Sequence, residues 1–133
     1  PVKGGTAYKT IAINPKDKAK MTGNTIPVAV LKQWGGARVT ITVTNLSKDI
    51  WNKETTILTL NKHSAKLAYP QWITQSNITL PKEQTIPPGA AATFFFPIQF
   101  SNLPKGKTYF SFGLNVNGEI IDIEGADRVM RID

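Results

Sequence analysis

Hydrophobic and polar residues alternate along most of the chain, which is the pattern of half-buried β-strands. The stretch ARVTITVT, residues 37–44, places its aliphatic side chains on one face and Arg38 with three threonines on the other. TTILTL, residues 55–60, predicts a second strand. No segment shows the 3.6-residue period of an amphipathic helix, so the pattern predicts an all-β protein.

The longest alternating stretch, PPGAAATFFFPIQF, begins with a turn at Pro88-Gly89. Its predicted inward face consists of Ala92, Phe94, Phe96, Ile98 and Phe100. Pro97 falls on the opposite face. Because proline cannot donate a backbone hydrogen bond, it predicts an edge strand or a bulge.

A β-hairpin is predicted by Asn117-Gly118, a dipeptide typical of a type I′ turn. This turn sets a register that pairs Val116 with Glu119, Leu114 with Ile121 and Phe112 with Ile123. Alternation independently places Phe112 and Leu114 on the inward face, so the two signals agree. We therefore expect a core that contains Trp51, Phe94, Phe112 and Leu114. RVMRI, residues 128–132, predicts a last strand.

Short strands separated by Pro and Gly turns in a 133-residue chain predict one domain. We expect an Ig-like antiparallel two-sheet β-sandwich over residues 28–133. Residues 1–27 are expected to form an N-terminal arm or an extra strand. The chain begins at Pro1, which indicates a mature product or a fragment of a longer protein.

The net charge of +7 is unevenly distributed. Residues 1–66 hold ten Lys and one Arg against three acids, whereas residues 67–133 hold five basic against six acidic residues. The basic half favours an anionic partner such as a wall polymer or membrane surface, or it serves solubility alone. Nucleic acid is not expected, because Arg, the better phosphate ligand, is scarce. No apolar run is long enough to span a bilayer.

Reaction chemistry is not predicted by any motif. The chain has no Cys and a single histidine, His63, in a polar run, and it contains no G-x-S-x-G or phosphate-binding loop. Asp122, Glu124 and Asp127 could supply oxygen ligands to Ca²⁺, but they do not match an EF-hand loop, and a solvated turn is the simpler interpretation. The sequence therefore predicts no catalytic residues, no metal and no cofactor, and a protein that is not an enzyme.

Aromatic and basic residues outside the predicted strands supply candidate ligand contacts. The candidate ligand-binding residues are Trp34, Tyr69, Trp72, Lys62 and Lys66. Such rings stack on sugars or on a partner protein, or alternatively they cap one end of the sandwich. For Trp51, in NLSKDIW, we favour the capping role, at the point where the chain crosses between sheets.

In order, VTITVTN, NLSKDIW, AYPQWI, IPPGAAATFFFPI and KGKTYFSFGLNVNG resemble the Ig-like four-tryptophan domain of an autophagy cargo receptor, and more closely its bacterial counterparts. The resemblance covers roughly residues 28–132. The positions that match its motifs are Asn45, Ser47, Trp51, Pro88, Gly89, Gly106, Tyr109, Phe112, Leu114 and Gly118. The chain departs from the family at Ser47, where Gly is usual, and at Ile120 and Ile121, where an aromatic residue is usual. It also has only three tryptophans.

Bacterial members of that family are appended to secreted or surface proteins, including hydrolases, so the resemblance implies an extracellular or cell-surface location. The first functional hypothesis is a non-catalytic accessory module of a Gram-positive bacterial or phage protein. Such a module would bind anionic wall polymer or carbohydrate, or space other domains. The second is a protein–protein interaction or adaptor domain, and the third is an enzyme, for example a glycosidase. The peptide-binding role of the autophagy receptor is not implied.

Overall fold

The computed structural model describes residues 18–61 and 64–133. Within these residues the chain forms ten β-strands and two short 3₁₀ turns, at Lys32–Trp34 and Lys53–Thr55. The strands are β1 Ala19–Asn24, β2 Ala29–Val30, β3 Gly36–Asn45, β4 Trp51–Asn52, β5 Thr56–Leu60, β6 Asn77–Thr79, β7 Thr85–Ile86, β8 Ala91–Gln99, β9 Gly106–Val116 and β10 Glu119–Ile132. The prediction of an all-β protein is confirmed.

The main sheet has the order β6-β5-β9-β10-β1-β3-β8 and curls into a nearly closed barrel. β2 pairs with the end of β10, and β4 with β7 forms a separate ribbon. The segment after β5 narrows the gap between the ends of the sheet, because it bonds to β8. The Trp72 indole N–H donates to the Pro97 carbonyl at 2.6 Å, and the Gln99 N–H donates to the Leu67 carbonyl at 3.0 Å.

The expectation of an exclusively antiparallel pair of sheets is wrong in one respect. β1 pairs antiparallel with β3 through Met21 and Val43, and parallel with β10 through Lys20 and Glu124. One strand thus joins what would otherwise be two sheets. Parallel pairing is possible here because β1 and β10 are distant in sequence and no tight turn constrains them.

The expected N-terminal segment is therefore partly a strand of the sheet. Residues 19–24 form β1, and the Thr25 N–H donates to the Thr40 carbonyl at 2.9 Å. The expected boundary between residues 27 and 28 falls between two strands of one sheet. Residues 1–17 of the expected arm lie outside the described residues.

The hairpin turn forms as predicted, with positive φ angles at Asn117 (54°) and Gly118 (86°). Leu114 pairs with Ile121 as expected. The expected pairing of Phe112 with Ile123 is wrong, because a bulge over residues 123–126 shifts the register. Within this bulge Glu124 pairs with Lys20 of β1, and β10 pairs with β9 again from Asp127 onwards. Residues 128–132, expected as a separate strand, continue β10.

The core prediction is confirmed. Trp51, Phe94, Phe112 and Leu114 are all buried, on the inward positions of their strands. Edge-to-face ring contacts run across this core, with centroid separations of 6.1 Å for Trp72–Phe96, 5.9 Å for Phe96–Phe112 and 5.7 Å for Phe110–Phe112. This geometry is the preferred one for aromatic pairs.

Asn45 is a fully buried polar residue at the end of β3. Its side-chain amide donates to the carbonyls of Asp49 and Ile86, each at 2.8 Å. Its side-chain oxygen accepts from the N–H of Ser47 at 2.9 Å and from its hydroxyl at 2.6 Å. The Asn45 side chain therefore connects three segments. They are β3, the loop that leads to Trp51, and β7.

β8 lies at one end of the sheet order, so the prediction of an edge position for Pro97 is confirmed. Its open edge is largely occupied. The Thr93 N–H donates to the Glu83 carboxylate at 2.7 Å, and the Lys82 N–H donates to the Thr93 carbonyl at 2.8 Å. Proline and a covered edge are devices that prevent pairing with another chain.

Burial raises the pKa of Glu83, but hydrogen bonds from Thr93 and its own backbone N–H, with the charge of Lys82, outweigh this effect. The pKa of the carboxyl therefore lies below its ordinary value. A carboxyl group with a lowered folded pKa stabilises the fold above the unfolded pKa. This stability is lost as the pH falls through the folded pKa.

Replacement of Asn45 by Ala should lower the free energy of unfolding by about 2–4 kcal/mol, because two buried carbonyls lose their donor. Denaturant melts measure this loss. The exposed Asn52→Ala is the matched control, with an expected change within about 0.5 kcal/mol. Equal effects of the two changes would contradict the role assigned to Asn45.

Replacement of Phe112 by Ala should cost about 3–5 kcal/mol of stability, because it leaves a cavity in the aromatic core. The matched control is Phe95→Ala, which removes an exposed ring of the same type. A loss below about 1 kcal/mol for Phe112→Ala in denaturant melts would mean that the inward face of β9 is misassigned.

Replacement of Glu83 by Gln should lower stability at pH 7 by about 0.5–1 kcal/mol, a small effect because solvent screens the group. The difference from the wild type should vanish as the pH falls well below ~4.3, the ordinary glutamate pKa. Denaturant melts at pH 7 and pH 3 test this, with the exposed Glu54→Gln as control. A difference that persists unchanged at pH 3 would contradict a contribution from the Glu83 charge.

Candidate functional site

Trp34 lies at the end of the 3₁₀ turn that leads into β3, and its side chain is 59% exposed. Backbone hydrogen bonds hold this turn on both sides. The Lys32 N–H donates to the Asp133 carbonyl at 2.9 Å, and the Phe100 N–H donates to the Gly35 carbonyl at 2.9 Å. Gly35 has a φ of 78°, which other residues rarely adopt. The turn thus presents an exposed indole from a fixed position.

Tyr69 packs on the first residue of β3. A Cβ atom on Gly36 would lie 2.9 Å from Cε2 of the Tyr69 ring and would also clash with the Ile98 carbonyl. Only glycine therefore allows this close approach. Because Gly36 follows Trp34 by two residues, the structure brings two of the predicted ligand residues to the same end of the β3–β8 pair.

Trp72 is corrected from a candidate sugar-stacking residue to a core residue. Its ring is buried edge-to-face against Phe96, and its indole N–H is bonded to the Pro97 carbonyl. A buried ring whose single polar group is satisfied has no face left for a ligand. The position of Trp72 supports capping of the core, and not stacking on a ligand.

Only one of the two candidate lysines, Lys66, can be placed relative to the site. Lys62 lies outside the described residues. Lys66 is exposed and forms no ion pair with any residue that the structure describes. Its neighbours on either side are fixed: the Ala65 N–H donates to the Tyr109 carbonyl at 3.2 Å, and Leu67 bonds to Gln99.

Phe95 and Arg38 are functional candidates that the sequence analysis missed. Phe95 is 57% exposed in the middle of β8. The Arg38 guanidinium carbon lies 5.8 Å from its ring centroid, a cation–π contact. The signal was available in the sequence, because Phe95 occupies an outward position between the inward Phe94 and Phe96. Phenylalanine at an outward strand position is unusual enough to mark a surface.

We define the aromatic face as Trp34, Arg38, Tyr69 and Phe95. Arg38 and Phe95 point outward from β3 and β8, Tyr69 is half-buried against Gly36, and Trp34 lies on the turn before β3. Phe95 is paired with Thr40, four residues along β3 from Gly36, so Tyr69 and Phe95 are separated by about 13 Å along the strand. The other outward positions of β3 carry Thr42 and Thr44. No acidic residue occupies an outward position of β3 or β8. The face combines exposed rings, hydroxyl groups and one guanidinium.

The described residues contain no group of three or more His, Cys, Asp or Glu side chains arranged to hold a metal ion. The acidic stretch from Asp122 to Asp127 therefore does not form such a group. In the part of the chain that the structure describes, no helix has the length and apolar character needed to cross a membrane.

No protein-family model and no curated protein matches this chain. Among solved structures, the chain is similar to AvmM, which catalyses macrocyclization in alchivemycin A biosynthesis. The identity is 13%, the match covers 90% of this chain and 89% of AvmM, and the TM-score is 0.46. A similarity at this level carries no argument about the function of the chain.

Proposed function

We propose that this protein is a non-catalytic accessory module of a larger bacterial or phage cell-surface or secreted protein, and that its aromatic face binds cell-wall glycan. The observation that carries the proposal is Phe95, a large exposed ring in the middle of a strand. One exposed apolar residue is ordinary, but Phe95 is contacted by Arg38, and the exposed Trp34 lies on the turn that leads into the neighbouring strand β3.

The chemistry of the face suits sugar polymers that carry negative charge. Aromatic rings pack against the apolar faces of sugar rings, and threonine hydroxyls can both donate and accept hydrogen bonds. The Arg38 guanidinium can form paired hydrogen bonds with a carboxylate or phosphate group. Because no acid lies at the outward positions of β3 and β8, nothing on those strands repels an anionic wall polymer.

As part of the same proposal, the fold is a variant of the Ig-like sandwich, and the protein is located outside the cell or at its surface. The strand order supports the sandwich variant. One sheet would consist of β1-β3-β8 and the other of β6-β5-β9-β10, and β1 would join them. The location rests on the resemblance to bacterial four-tryptophan domains and on the basic, Cys-free composition.

A second candidate function is an adaptor domain, which a specific apolar surface favours. Val28 is 80% exposed, and Leu31 and Trp34 are exposed on the same connection between β1 and β3. A protein partner would cover Val28 and Leu31 together. A glycan bound to the aromatic face would depend on Phe95 instead, so the two functions differ in the residues that they require.

Co-sedimentation with purified Gram-positive walls at 0.1 M and 1 M salt tests the proposal. Phe95→Ala should weaken retention about tenfold at both salt concentrations, which corresponds to ~1.4 kcal/mol. Arg38→Ala should weaken it only at 0.1 M salt, because the Debye length falls from ~10 Å to ~3 Å over this range.

The control is Ile50→Ala, which removes an exposed apolar side chain outside the aromatic face. It should leave retention unchanged. Absence of binding at either salt concentration, or equal retention of Phe95→Ala and the wild type, would refute the wall-binding function. In that case, loss of a protein partner on Val28→Ala would favour the adaptor.

A further inference from the structure

A second concave surface lies on the outer side of β5, β9 and β10, away from the aromatic face. It consists of two depressions of about 450 Å³ and about 340 Å³ that meet at Asn61. We call this surface the polar trough and define it by Thr59, Asn77, Tyr109, Gly113, Ile120 and Asp122.

Two features of the backbone make the outer surface of the sheet concave at this place. Gly113 has no side chain, and a Cβ atom there would lie 3.1 Å from the Thr59 hydroxyl. The bulge in β10 separates the pairing of Ser111 with Asp127 from that of Gly113 with Asp122. A glycine inside a strand and a bulge are both typical of places where a ligand approaches the backbone.

The polar groups of the trough are available to a ligand. The Thr59 hydroxyl and the Asp122 carboxylate form no hydrogen bond or ion pair with any residue in the described ranges. Asn77 adds an amide on the neighbouring strand β6, opposite Thr59. A hydroxyl, an amide and a carboxylate together supply both donors and acceptors, which is what the neighbouring hydroxyl groups of a sugar require.

Apolar side chains lie at the two ends of the trough. Tyr109 is 63% exposed on β9, and Ile120 is 69% exposed on β10, where it pairs with Asn115. From Tyr109 to Asn115 is six residues along β9, or about 20 Å. A concave surface with a few polar groups between apolar ends has the general composition of a small-molecule site.

We infer that the polar trough binds a short neutral oligosaccharide, laid along β9 with sugar rings against Tyr109 and Ile120 and hydroxyl groups on Thr59, Asn77 and Asp122. The described lining of the trough favours neutral over anionic sugars, because the two carboxylates of Asp122 and Asp127 outnumber the one guanidinium, that of Arg128. The site is separate from the aromatic face and does not rest on the wall-binding function proposed above.

Titration of the ¹⁵N-labelled full chain with cellotriose, maltotriose and N-acetylated chitotriose, followed by NMR, tests this inference. At least one trisaccharide should shift the amide signals of Thr59, Gly113 and Asp122 in a saturable way. Tyr109→Ala and Asp122→Ala should each weaken that binding about tenfold. The same spectra show whether each variant is folded. Phe95→Ala, on the other face, should bind the trisaccharide as the wild type does.

Three outcomes would overturn the inference. They are the absence of saturable shifts in the trough with all of these sugars, binding that Tyr109→Ala and Asp122→Ala leave unchanged, and tighter binding of the anionic trigalacturonate than of the neutral sugars. The wall experiment tests the proposed function independently of the trough. Trough binding without Phe95-dependent retention on walls would remove only the proposed function, and the reverse result would remove only the trough.

Discussion

The buried amide of Asn45 is the constraint on which the rest of the fold depends. Each of its side-chain donors and acceptors has a partner, and its backbone N–H and carbonyl bond to Ala90 and Gly89, at 2.8 Å and 2.7 Å. These contacts fix the end of β3 against the start of β8 and hold the loop that delivers Trp51 to the core. The β3–β8 register, and with it the relative positions of Arg38 and Phe95, therefore follows from a hydrogen-bond network at the opposite end of the strands.

The occupied edge of β8 determines what kind of recognition this protein can perform. An open edge binds partners by adding a strand, which requires free N–H and carbonyl groups in a row. Here Thr93 is bonded to Glu83 and Lys82, Pro97 has no N–H, and Gln99 is bonded to Leu67. At this edge a ligand is therefore left with the outer face of β3 and β8, where side chains and not backbone groups make the contacts.

The sequence was sufficient for the features that local physics determines. Alternation placed Phe94, Phe112 and Leu114 in the core, and Asn117-Gly118 set the hairpin register near the turn. The double pairing of β1 could not be predicted, because parallel contacts between distant segments leave no local pattern. The bulge after Asp122 was missed for the same reason: it follows from the path of β10 towards β1.

The candidate site shows a similar division. Trp72 and Trp34 both lie in polar surroundings in the sequence, and only the tertiary structure shows that one ring covers Phe96 while the other faces solvent. Tyr69 was a candidate ligand residue in the sequence, and its contact with Gly36 has no sequence signature. Phe95 was predictable, since strict alternation leaves it outward between the inward Phe94 and Phe96.

The structure shows on which strands the unevenly distributed charged residues lie. The basic first half supplies Lys20 and Arg38 to β1 and β3, whereas the second half supplies Asp122 and Asp127 to β10. The aromatic face therefore carries the Arg38 cation, whereas the trough is lined by the carboxylates of Asp122 and Asp127 and by the Arg128 guanidinium. An anionic polymer responds to such a difference in charge, whereas a neutral glycan is nearly indifferent to it. If both proposals hold, the two surfaces bind different glycans, and binding at one does not compete with binding at the other.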